Sequence, residues 1–455
     1  MSSMVSGDLL GPLFASAKMR AALSDRAMLQ HMLDVEAALA RAEAATGVIP
    51  RRAADPIAAA CQAKRFDIAA LGIAAGNAGN VAIPLVKALT AAVARRDKQA
   101  ARFVHWGATS QDIIDTATVL ALREASALLE RDLAQAIKGF VSQAKKHRTS
   151  VMAGRTWLQQ ALPTTFGLKA AGYAASLARA RTRMIAAAEE ASVLQFGGAS
   201  GTLAALGKKG VAVSKAFARS LKLEATPAPW HAHSDRIANA GSTIAIAVCE
   251  CGKIARDVSL LMQTEVGEVF EPAGTGRGGS STMPQKRNPT LSAQILAASN
   301  LAPGLASSLL AGLVNEHERG TGGWQASWLA LPQLLLIASG AFERTAEIAT
   351  GLEVDKTRMR ANLEVSNGLI MAEAVQFALA EKLGKMQAHD LVAKASKQAL
   401  RSGKHLRGAL NEHPEVMEIL SGKKLAELFD PANYLGETDR FINANIAAAE
   451  RSLRK

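Results

Sequence analysis

The chain has 455 residues, of which 49% are hydrophobic and only 4% aromatic, and it carries a formal net charge of +13. That length suits two or three domains around a large core, whereas no apolar run reaches the roughly 18 residues of a membrane span. With scattered basic clusters, few aromatics and no nucleic-acid module, the positive charge points to a small polyanionic substrate, with neither nucleic acid nor membrane as partner.

The start, Met1 to Gly11, lacks the basic-then-apolar order of a secretory signal, so a cytoplasmic protein is expected. Cys61, Cys249 and Cys251 are too few for a disulfide framework and read as reduced, buried packing residues. Helical periodicity dominates and sustained period-2 alternation is missing, so the fold class is all-α. A first helix is expected from Ser24-Asp25, with Leu29, Leu33, Ala37 and Ala40 on one face. A much longer one begins at Thr109-Ser110-Gln111-Asp112, whose Thr and Asp three apart make a capping-box-like start. Its apolar face continues to about His147, which is about 37 residues or about 55 Å, interrupted only by Gly139.

Further long helices are expected over 163–190, 231–266, 288–315 and 326–351. Five long helices make a bundle, and several, such as Ile244 through Leu261, have little charge on any face, as helices packed against other subunits would. The chain thus reads as three domains: an N-terminal helical domain over 1–108, a central long-helix bundle over 109–351, and a small C-terminal helical domain over 352–455.

Three stretches place polar groups at expected helix starts. In the first, His105 precedes Thr109 and Ser110, where free N–H groups and the helix dipole favour an anion. The second runs from Gly154-Arg155-Thr156-Trp157-Leu158-Gln159 to Pro163-Thr164-Thr165. The third, Gly274 to Pro289, is glycine-rich at one end and closed by Asn288-Pro289, which reads as an N-cap followed by proline at the first helical position. By its letters it also matches a dinucleotide fingerprint, but no strand precedes it and no helix directly follows. His231-Ala232-His233 and Glu316-His317-Glu318 lack a third ligand, so no metal and no cofactor is expected. Seven extended residues reach at most about 25 Å, so a continuous long helix keeps the first two stretches of one chain apart. If they share a site, different subunits supply them.

These stretches, in this order and separation, resemble the signature regions of the fumarase/aspartase superfamily. Gly279-Ser280-Ser281-Thr282-Met283-Pro284-Gln285-Lys286-Arg287-Asn288-Pro289 is similar to its GSSxMPxKxNP loop. The likeness extends to Leu194 through Gly201 and Met262 through Phe270. Within the superfamily the chain resembles the bacterial carboxymuconate cycloisomerase subgroup, which has tryptophan, here Trp157, where the amine-releasing lyases have an acid histidine. Pro229-Trp230-His231 fits that subgroup, whereas Gln325 to Pro332 is less acidic than its pattern.

The resemblance implies a cofactor-independent enzyme, a homotetramer with active sites shared between subunits. Ser280 would carry the proton, with its alkoxide stabilised by Lys286. Lys286 and Asn288 would bind the carboxylate whose charge grows. Thr109, Ser110, Arg155, Gln159, Thr164, Arg236, Arg319 and His105 are candidates for the other carboxylate contacts. An amine-releasing lyase of the adenylosuccinate type and a catalytically idle structural tetramer stay open as alternatives.

Overall fold

A computed structural model of the chain describes residues 7–274, 278–279, 282–283 and 285–454. Helix α1 (Asp25–Ala45) starts where Ser24 accepts a hydrogen bond from the Ala27 N–H, and it buries Leu29, Leu33, Ala37 and Ala40 as its periodicity requires. Helix α2 (Ser110–Lys146) is continuous over 37 residues. After it come strands β1 (Val151–Thr156) and β2 (Gln159–Thr165), and then helices α3 (Phe166–Ala191) and α4 (Asp235–Leu261). The short strand β3 (Val269–Phe270) precedes helices α5 (Thr290–Ala311) and α6 (Gly323–Gly351), and β4 (Glu353–Val354) pairs antiparallel with β3. Helix predominates among the described residues, so the all-α class stands.

The chain divides into two compact units. One holds residues up to Leu133 with Ala180–Gly252 and Gln294–Glu343; the other holds Ala134–Arg179, Lys253–Ala293 and Arg344 onward. Each of α2 to α6 has residues in both. In the first unit, Leu33, Leu39, Ile113, Leu122 and Phe217 are sealed from solvent. In the second, α2 and α6 pack so closely that a Cβ at Gly139 would lie 2.8 Å from the backbone of Ala349. The glycine that interrupts the helical pattern is therefore what permits the contact. Beside it, Gln143 Nε2 donates to the Leu352 carbonyl at 3.3 Å. The short C-terminal helices of this unit enclose their own core of Val375, Leu379, Val392, Leu406, Leu410 and Leu425.

Four local expectations are corrected. Residues 151–165 form an antiparallel hairpin, so Thr164 stands in β2 opposite Met152, and the next helix starts only at Phe166. The alternation is hidden by a register shift between Ala153 and Arg155 and by Pro163. Asn288 is not the cap of α5: the Glu271 carboxylate, from 20 residues before Leu291, accepts from the Leu291 and Ser292 N–H groups at 2.9 and 2.7 Å. Cys249 is exposed, while Cys61 and Cys251 are buried. Finally, α6 as a whole is long and apolar enough to pass for a membrane span, but 61% of that apolar window is buried inside the protein, as in a core helix.

Candidate active site

In the first unit the site is organised by Asp112, which is fully buried at the start of α2. Its carboxylate accepts from the backbone N–H of Thr109 (3.0 Å), Gly197 (2.8 Å) and Gly198 (2.9 Å), and from Gln195 Nε2 (3.2 Å) and His231 Nε2 (3.0 Å). One turn of helix, the 194–201 stretch and the Pro229-Trp230-His231 segment are thereby joined, because a carboxylate can be buried only with such a full set of donors. Around it, Gln195 Oε1 accepts from the Trp230 N–H at 2.7 Å, and Gln111 Nε2 donates to the His231 carbonyl at 2.9 Å. Gly197 has no room for a side chain, since a Cβ there would lie 2.5 Å from His231 Cε1.

On this base stand five of the residues singled out from the sequence. Arg319 donates from one terminal nitrogen to Thr109 Oγ1 (3.1 Å) and to the Ala199 carbonyl (3.2 Å), while its buried Nε has no partner among the described residues. His105, at φ 58°, places Nδ1 2.6 Å from Glu36 Oε1. Burial disfavours its charged form, yet the Glu36 carboxylate, by charge and hydrogen bond, and then Asp112 outweigh that and hold the imidazole above its ordinary range. Ser110 is the first residue of α2, and Arg236 lies half-buried in the first turn of α4.

Behind the same turn lies a cavity lined by Gln111, Asp115, Trp230, His231, Asn315 and Trp324. Sequence reasoning missed Asp115. Burial lifts its carboxyl to about 7, against the 2.6 Å bond donated by Trp324 Nε1. Helical spacing alone places it on an inner face, which was the available signal.

The second unit carries the other residues singled out from the sequence. Arg155 makes a two-pronged ion pair with Glu268, at 2.9 and 2.7 Å, and Glu268 also accepts from Asn362 Nδ2 at 2.7 Å. Glu268 is fully buried, so Arg155 is occupied in fixing the hairpin to its own unit. Thr156 and Gln159 close the hairpin, leaving a two-residue turn of Trp157 and Leu158 with φ of 53° and 64°. Positive φ at both positions is the type I′ requirement that Asn and Gly ordinarily meet. Here the turn lifts Trp157, 96% exposed, and Leu158 into solvent. Lys286 is exposed and Asn288 half-buried, its N–H donating to the Gly278 carbonyl at 2.8 Å. Ser280, the expected proton carrier, lies outside the described residues.

A family model described as "Lyase" matches residues 14–304, and one described as "Adenylosuccinate lyase C-terminus" matches residues 368–444. The chain belongs to the fumarase/aspartase superfamily. Among members of that superfamily, it is 58% identical to a 3-carboxy-cis,cis-muconate cycloisomerase of Bradyrhizobium diazoefficiens, over 97% of this chain and 98% of that one. It is 41% identical to a nitrosuccinate lyase of Streptomyces davaonensis, over 100% of this chain and 97% of that one. Its fold matches the crystal structure of the 3-carboxy-cis,cis-muconate lactonizing enzyme of Pseudomonas putida with a TM-score of 0.94 at 46% identity, covering 98% of this chain and 100% of that one.

Proposed function

We propose that the chain closes 3-carboxy-cis,cis-muconate to 4-carboxymuconolactone. The observation that carries this reading is the likeness, at 58% over nearly the whole of both chains, to a cycloisomerase of that name. The reaction rearranges the substrate's own atoms. One carboxylate oxygen of the muconate forms a C–O bond to the alkene carbon that bears the extra carboxyl, the π pair moves to the adjacent carbon, and a proton is delivered there. Ser280 carries that proton and regains it from solvent. Lys286 and Asn288 bind the neighbouring carboxylate, onto which the carbanion-like charge spreads. Thr109, Ser110, Arg319 and Arg236 bind the other carboxylates.

The hairpin tip supports the same reading. In reverse, the lactone's leaving group is a carboxylate, whose conjugate acid has a pKa of about 4, so it departs unprotonated. An amine does not, and a site that presents Trp157 lacks the imidazole that would protonate it. The enzyme works as a homotetramer, with a central domain over 109–351 between two smaller helical ones, and each active site draws on several subunits. The unbroken length of α2 supports this, as do Ile246, Leu301, Leu310 and Leu329, each 46 to 68% exposed on α4 to α6 of a single chain.

Purified protein mixed with 3-carboxy-cis,cis-muconate should bleach the conjugated-diene absorbance at an enzymatic rate. No bleaching by folded protein refutes the proposal. The match of residues 368–444 to an adenylosuccinate lyase C-terminus favours one alternative, and fumarate release from adenylosuccinate would establish it instead.

A further inference from the structure

The stretch that bears Ser280 and Lys286 is flanked in sequence by Ala273 and Arg287, both in the second unit. One side chain holds both ends. Glu353, on β4, accepts from the Ala273 N–H through Oε1 at 3.2 Å, and from Arg287 through Oε1 at 3.0 Å and Oε2 at 2.9 Å. Arg287 is fixed in turn by donating to the Glu271 carbonyl at 2.9 Å and by lying over the Phe270 ring, 4.7 Å from its centre. Pairing of β3 with β4 places Phe270 directly opposite Glu353. A planar guanidinium held through both terminal nitrogens and over one face is restrained from turning.

We propose that Glu353 is a positioning residue, which sets the placement of Lys286 and Asn288 by tying together the two ends of the segment that carries them. The inference rests on the function proposed above for its catalytic consequence, but not for the tie itself. Arg287 stands between Lys286 and Asn288, so its fixed guanidinium fixes the backbone from which both project. The Asn288 N–H closes the same end by bonding to the Gly278 carbonyl. The pair is well exposed, at 40% for Arg287 and 45% for Glu353. A solvated ion pair contributes little to global stability. Its consequence is therefore local, and a site whose groups shift by about 1 Å loses on the order of 10²-fold in rate.

The test compares Glu353→Ala, and Glu353→Gln as the conservative variant that keeps one acceptor oxygen, in the full-length protein. Expected for Glu353→Ala is a loss of about tenfold or more in kcat, with KM little changed and thermal midpoint and assembly unaltered. Glu353→Gln should recover part of the rate. In the same samples, amide hydrogen exchange across 273–290 should quicken in Glu353→Ala without any substrate present. A kcat within about twofold of wild type, the scale of a solvated ion pair, or unchanged exchange, would overturn the proposal. A fall in kcat that tracks the thermal midpoint would do the same. If Glu353→Ala does not assemble, Glu353→Gln carries both measurements. If the wild-type chain does not turn over the muconate, the functional reading fails and the tie is judged on exchange alone.

Discussion

Helix α1 carries two buried glutamates seven residues apart, and among the described residues only one has a side-chain partner. Glu36 meets His105 at 2.6 Å, whereas among the described residues neither carboxyl oxygen of Glu43 has a hydrogen-bond partner, and the side chain is fully buried. Burial first, and the Glu36 carboxylate second, push Glu43 from 4.5 to about 9. The folded chain therefore holds a proton that the unfolded chain releases. A raised carboxyl means that stability is lost as pH climbs from the unfolded value toward the folded one. Each pH unit in that window costs about 1.4 kcal/mol, so the folded state has lost about 3 kcal/mol by neutral pH.

Glu43→Gln keeps the shape and removes the titration. Denaturant midpoints for both proteins, measured from about pH 5 to about pH 8 at one fixed concentration because assembly contributes to stability, should diverge steadily. The variant should gain about 4 kcal/mol on the wild type across that range. The amide's own burial shifts the whole difference up or down but not its slope. A difference that stays flat with pH would refute the reasoning, and so would one that narrows.

Three further outcomes follow from the site. Ser280→Ala should remove most turnover and leave assembly intact, and near-normal rates in the diene assay would rule Ser280 out as the proton carrier. Trp157→His should at best preserve activity, since a carboxylate leaving group needs no acid; a large rate gain would show that an acid had been limiting. Arg155→Lys keeps the charge but loses the two-pronged contact with Glu268. Because this leaves a buried carboxylate poorly matched, it should lower the thermal midpoint by several degrees, the size expected for roughly 1 to 3 kcal/mol. An unchanged midpoint with a raised KM would instead make Arg155 a substrate contact.

The parts of this chain that were legible in its sequence are those governed by local rules. The 37 residues of α2 follow from one capping box and one apolar stripe, and the structure places the Asp112 carboxylate on the Thr109 N–H as that pattern requires. Expectations failed where a distant residue decides. Asn288-Pro289 has the letters of a helix start, but Glu271 arrives from far upstream to satisfy those amides. Residues 151–165 carry hydroxyls and a proline in a helix-start order, but pairing between β1 and β2 overrides them. The five donors around Asp112 come from three separate stretches, so no single stretch discloses the carboxylate that joins them.

The net charge of +13 suggested many cations for a polyanionic substrate, and the structure sorts them. Arg155 is neutralised by Glu268 and Arg287 by Glu353, each through a fork that leaves little field for a ligand. Among the described residues Lys286 and Arg236 form no ion pair, and the buried Nε of Arg319 has no partner. A tricarboxylate needs a few cations in fixed places more than it needs a diffuse positive surface, because a bound charge interacts strongly only at short range and in low dielectric. Under the function proposed above, Glu268 and Glu353 serve the reaction indirectly by holding the backbone around the paired arginines, and Lys286, Arg236 and Arg319 are the cations left for carboxylates.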